Sequence, residues 1–73
     1  MNRKADYILS VDVKIILMGE IISALKEARY DPYTQIVAYL QSGDITYITR
    51  TNNARNKISK LNPEWVAAYV TQM

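Results

Sequence analysis

Two prolines punctuate this chain, and each follows a residue that starts helices. Asp31-Pro32 and Asn62-Pro63 each put a side-chain oxygen at an N-cap and a pyrrolidine ring at the first helical position, where a missing N–H costs nothing. Gly43 closes the first of these frames, as glycine does just past a helix end. Between them Tyr33, Ile36, Val37 and Leu40 fall at i, i+3, i+4 and i+7, which is one face of a helix over 32–41. Val66, Tyr69, Val70 and Met73 repeat that spacing after Pro63. Upstream, Asp12 reads as the N-cap of a helix over 13–29. Leu17, Ile21, Leu25 and Ala28 make one apolar row there, with Ile15, Met18 and Ile22 as a second beside it. Asp44 caps a short turn through Ile48, and Thr51 or Asn52 caps a third helix reaching Leu61. The fold class is therefore all-α: a small compact bundle of about four short helices. Residues 1–11 carry no period and no cap and read as a flexible tail, with 12–73 as a single helical domain.

The size of the chain limits what that bundle can do alone. A domain this small buries only about 60% of its unfolded surface, yet 49% of its 73 residues are hydrophobic. The doubled row on the first helix is too wide to be covered on one side. An intertwined homodimer follows, with Leu17, Met18, Ile21, Ile22 and Leu25 as the expected contact. The chain has no cysteine and no histidine. Disulfides and thiolate metal sites are thereby excluded, and the usual general base and nucleophile are missing. Two glycines cannot build a phosphate-cradling loop. The reading is a protein that is not an enzyme and carries no metal or cofactor. The apolar stretch "YILSVDVKIILMG" is interrupted by Asp12 and Lys14 and is too short to span a membrane. No cleavage site marks a signal peptide. A soluble, cytoplasmic protein without membrane insertion is expected.

One segment departs from the mixed charge of an ordinary surface. From Ile45 to Lys60 it holds Arg50, Arg55, Lys57 and Lys60, no acid, and Asn52, Asn53 and Asn56. On a helix Asn52, Arg55, Asn56 and Ser59 share one face while Ala54, Ile58 and Leu61 share another. Arginine's planar fork grips phosphate or carboxylate with two hydrogen bonds. Arg50, Asn52, Asn53, Arg55, Asn56 and Lys57 are thus the candidate partner-binding residues. The plainer reading is that Arg50 or Arg55 ties down the carbonyls of a neighbouring helix end and the asparagines serve as caps. Tyr30, Tyr33, Tyr39, Tyr47 and Tyr69 stand at spacings that suit core or interface, and Trp65 suits a packing anchor.

At "YDPYTQIVAYLQSGDITYITRTNNARNKISKL" the chain resembles the IreB-type regulatory phosphoprotein family of low-GC Gram-positive bacteria. The family pattern runs Tyr-Asn-Pro, Gln-Ile-Val-Gly-Tyr, Ser-Gly-Asp-Pro, Tyr-Ile-Pro-Arg and Asn-Asn-Ala-Arg-Asn. Here these become Tyr30-Asp31-Pro32, Gln35-Ile36-Val37-Ala38-Tyr39, Ser42-Gly43-Asp44, Tyr47-Ile48-Thr49-Arg50 and Asn52-Asn53-Ala54-Arg55-Asn56. The resemblance implies a small helical homodimer without enzymatic activity, under the control of a membrane Ser/Thr kinase that senses the cell wall. It implies that the unphosphorylated protein restrains peptidoglycan synthesis by promoting proteolysis of the first committed enzyme, with Arg50 and Arg55 on the working surface. The family's phosphoacceptor threonines lie in an acidic N-terminal tail. Here "MNRKADYILS" is basic and leaves Ser10 as the candidate phosphosite. The competing reading is a helix-turn-helix DNA binder using the Arg/Asn-rich helix 52–61, since asparagine and arginine read adenine and guanine. A net charge of +2 and the bulk of Tyr39 at the crossing make nucleic acid the less favoured partner.

Overall fold

A computed structural model describes residues 9–73. Four α-helices organise them: α1 (Val11–Glu27), α2 (Pro32–Ser42), α3 (Ala54–Ser59) and α4 (Pro63–Val70). Two 3-10 turns, Ile45–Tyr47 and Thr51–Asn53, join α2 to α3. Among the described residues there is no strand, and the protein is all-α.

The local signals act where the sequence puts them. The Asp31 carboxylate accepts from the Thr34 N–H at 2.9 Å, Asn62 accepts from the Glu64 N–H at 2.7 Å, and Pro32 and Pro63 open their helices. Gly43 takes the left-handed conformation, φ 75°, that ends α2. Asp44 caps the first 3-10 turn through the Thr46 N–H at 3.0 Å.

Three expectations need correction. First, Ser10 rather than Asp12 caps α1, its Oγ accepting from the Val13 N–H at 3.3 Å. Asp12 falls in the first turn instead, where a carboxylate complements the exposed N–H groups. Leu9 rests against the core, so residues 9–11 belong to the fold and not to a tail, and 1–8 lie outside the described residues. Second, α1 stops at Glu27 because Arg29 is left-handed, with φ 72°. The Arg29 N–H reaches the Lys26 carbonyl and the Tyr30 N–H the Leu25 carbonyl, both at 2.9 Å, which is a Schellman ending with arginine in the glycine position. Third, the helix expected from Thr51 or Asn52 to Leu61 is broken. Asn52 and Asn53 are both left-handed, φ 52° and 59°, a conformation asparagine tolerates better than most residues. Asn53 stands at the N-cap of α3 without a capping hydrogen bond from its side chain.

One core runs through the fold. α1 contributes Met18, Ile21, Ala24 and Leu25; Ile36, Ile48, Ala54, Ile58, Leu61, Val66 and Val70 complete it. α1 packs chiefly on α3 and the turn before it, and α2 on α4 and the first 3-10 turn. Trp65 anchors α4, as expected: its ring lies 5.4 Å from that of Tyr69, and the Lys14 ammonium of α1 stands 5.4 Å from its centre. Three of the five residues expected at a dimer contact are core residues. Met18, Ile21 and Leu25 are fully enclosed by their own chain, and Leu17 and Ile22 are half-buried. The apolar surface left open on α1 is Val11, Val13, Ile15 and Ile16, between 40% and 59% exposed. Tyr30, Tyr33 and Tyr47 also face outward, while Tyr39 and Tyr69 are half-buried against the core.

Candidate functional site

The acids missing from residues 45–60 stand on α1. Glu20 pairs with Lys57 at 3.1 Å, and Glu27 accepts from the Asn52 amide at 3.5 Å. They lie seven residues apart on α1, two turns of one face, and so hold the segment at both ends. Arg55 turns the other way. Its Nε donates to the Ile48 carbonyl at 2.7 Å, clasping α3 to the end of the first 3-10 turn. The Asp44 carboxyl nearby is held below its ordinary range by the Thr46 hydroxyl and N–H, with a smaller share from the charge of Arg55. Gln35 of α2 donates to the Tyr47 carbonyl at 3.0 Å, so the stretch 47–57 is tied to both long helices.

These contacts divide the six candidate residues. Asn52, Arg55 and Lys57 bond to their own fold. Arg50, Asn53 and Asn56 are exposed, and among the described residues their side chains make no hydrogen bond or ion pair. Lys60, left out of the sequence-based set, is exposed in the same way. Ala54, Ile58 and Leu61 are buried as their spacing predicts, so the break leaves the faces of α3 unchanged and takes only Asn52 and Asn53 off the helix. That spacing is visible in the sequence, but nothing local marks where the helix starts. Beside this face an open groove of about 500 Å³ runs between α1 and the second 3-10 turn, lined by Ile16, Gly19, Glu20, Ser23, Asn52 and Lys57.

Ser10, the candidate phosphosite, is exposed at the start of α1. Its hydroxyl is the N-cap, so a phosphate there would meet the free N–H groups of the first turn. Among the described residues no cluster of His, Cys, Asp or Glu is placed to hold a metal ion. Among the described residues no helix is long and apolar enough to cross a membrane. Helix-turn-helix geometry joins its two helices by a turn of about three or four residues, whereas residues 43–53 and two 3-10 turns separate α2 from α3. The chief packing partner of each is another element.

Fold and site define a class: a small all-helical protein whose basic segment leaves Arg50, Asn53, Asn56 and Lys60 exposed. The model of the IreB regulatory phosphoprotein family matches residues 9–71. The chain belongs to that family and is a small regulatory protein.

Proposed function

We propose that this chain is a non-enzymatic cytoplasmic regulator that acts by protein–protein contact, as a homodimer joined through α1. Family membership over residues 9–71 is the observation that carries the reading. Arg50, Asn53 and Asn56 meet the partner, while Asn52, Arg55 and Lys57 keep their segment in the shape that presents them. The exposed face supports this because the fold makes no use of it. Dimerisation is supported by Val11, Val13, Ile15 and Ile16, large apolar side chains left exposed on α1.

The resemblance extends the reading to a Ser/Thr kinase and a protease-linked enzyme of cell-wall synthesis as protein partners, with the unphosphorylated form promoting removal of that enzyme. In a cell that depends on this protein, Arg50→Ala should raise the level of the first committed peptidoglycan enzyme while leaving the regulator's own abundance unchanged. An unaltered enzyme level would overturn the proposal. Ser10→Asp should also weaken regulation if Ser10 carries the phosphate. Aspartate caps a helix as well as serine does, so a loss there reads added charge and not a broken α1.

A further inference from the structure

We propose that the row Arg50, Asn53, Asn56 and Lys60 grips a short, extended, acidic segment of a partner protein. The inference rests on the reading that this face meets a partner, and adds the chemistry of what it holds. Arg50 lies one hydrogen-bonded turn before Asn53, whose N–H donates to the Arg50 carbonyl at 3.2 Å. Asn53 is the left-handed N-cap of α3, Asn56 lies in the helix, and Lys60 is its C-cap residue. All four are exposed. Within the basic segment Arg55 and Lys57 are taken up by the Ile48 carbonyl and by Glu20. The two remaining cations therefore stand at the ends of the row, with two amides between them.

That order matches a peptide better than a nucleic acid. A primary amide donates and accepts at once, which complements a peptide unit. Main-chain groups repeat about every 6.6 Å along one edge of an extended chain, and Asn53 and Asn56, at the N-cap and in the first turn of α3, offer two amides to that edge. Arg50 and Lys60 then meet carboxylates at either end, through a planar fork and an ammonium. α3 itself, Ala54–Ser59, is about 9 Å long, and the turn from Arg50 to Asn53 adds to this. The whole row spans about four or five extended residues. Duplex DNA is a poor fit: its affinity grows with the number of phosphates neutralised, and this row has two cations.

The test titrates the isotope-labelled full chain with a capped pentapeptide, Glu-Ala-Ala-Ala-Glu, and with its Gln-Ala-Ala-Ala-Gln counterpart. The side-chain amide resonances of Asn53 and Asn56 should shift saturably, and that of Asn52 should not. The glutamine peptide should bind about tenfold more weakly, the loss expected for charge-assisted hydrogen bonds. Asn53→Gly, which keeps the left-handed backbone and removes only the amide, and Asn56→Ala should each weaken binding by a similar factor with unchanged far-UV circular dichroism. The absence of a saturable shift at millimolar peptide, equal binding of the glutamine peptide, or tighter binding of a short DNA duplex each overturns the proposal. If the peptide fails while Arg50→Ala still abolishes regulation in cells, the acidic-segment proposal falls and the regulatory reading stands. If the peptide binds at this row while Arg50→Ala leaves regulation intact, the surface chemistry stands and the regulatory reading falls.

Discussion

Arg55 joins two short elements through one hydrogen bond, and its removal should be felt as stability before it is felt as activity. Ile48 is fully buried, and its carbonyl accepts from Arg55 Nε at 2.7 Å. Arg55→Ala leaves that acceptor without its partner, which costs about 1–3 kcal/mol. In a domain of this length each 1 kcal/mol moves Tm by roughly 4–8 °C. Thermal denaturation should show that drop for Arg55→Ala and little change for Arg50→Ala; equal Tm values for the two would remove the clasp from the account. Arg29 carries the opposite prediction. Its left-handed backbone, φ 72°, is unfavourable for any residue with a Cβ, so Arg29→Gly should stabilise by about 0.5–1 kcal/mol in chemical denaturation. The caps also carry a pH dependence. The Asp31 carboxyl is held below its ordinary range by the Thr34 hydroxyl and then the Thr34 N–H, and Asp44 likewise by Thr46. A carboxylate whose folded pKa is depressed stabilises above its unfolded value, about 3.9, and that stability is lost as pH falls through the folded value. Stability should therefore be level near neutrality and decline below about pH 4. Asp31→Asn, which caps equally well without titrating, should flatten that decline.

Each helix shows how far local chemistry reaches and where tertiary contacts take over. α2 and α4 were legible almost residue by residue, because Asp31, Pro32, Gly43, Asn62 and Pro63 act on their own neighbours. The start of α1 is ambiguous in the sequence because Ser10 and Asp12 are both good caps and no local rule ranks them. Leu9 settles the choice by reaching the core. The break that shortens the third helix is not legible locally, because Asn52 of the left-handed pair is held by a distant contact. Glu27 bonds Asn52 from twenty-five residues away, and Arg55 clasps Ile48. The candidate site is accordingly legible as a segment but not residue by residue: the Ile48 carbonyl and Glu20, which take up Arg55 and Lys57, come from elsewhere in the chain. The apolar residues of α1 are legible in the sequence, but which of them the chain itself encloses is not. Leu25 is enclosed by its own chain and Ile16 is 58% exposed. Leu25→Ala should thus cost about 2–5 kcal/mol by urea denaturation. Ile16→Ala at protein concentrations too low for association should stay within about 0.5 kcal/mol of the parent. Similar losses at the two positions would contradict the assignment of faces.

At the scale of the whole molecule, the exposed side of α1 bears on whether a second copy completes the fold. A two-fold contact uses one patch twice, so the patch must offer both a projection and a recess. Ile15 and Ile16 project, at 45% and 58% exposure, and Gly19 lies one turn further along with nothing within 4 Å of where a Cβ would stand. A glycine inside a helix of seventeen residues carries a cost of about 0.5–1 kcal/mol relative to alanine. If α1 faced only water, Gly19→Ala would simply recover that amount. If two α1 helices cross at Gly19, each added methyl group pushes the backbones apart and weakens the dimer. The two effects can be measured separately. Gly19→Ala should raise the stability of the dilute monomer by about 0.5–1 kcal/mol while loosening the dimer in sedimentation equilibrium. Ile16→Lys should leave helicity intact and sediment as a single 8.4 kDa chain. A parent protein that itself sediments as the single chain at micromolar concentration would end the dimer proposal. A Gly19→Ala variant that dimerises as tightly as the parent would move the crossing away from Gly19, toward Val11 and Val13 at the start of the helix.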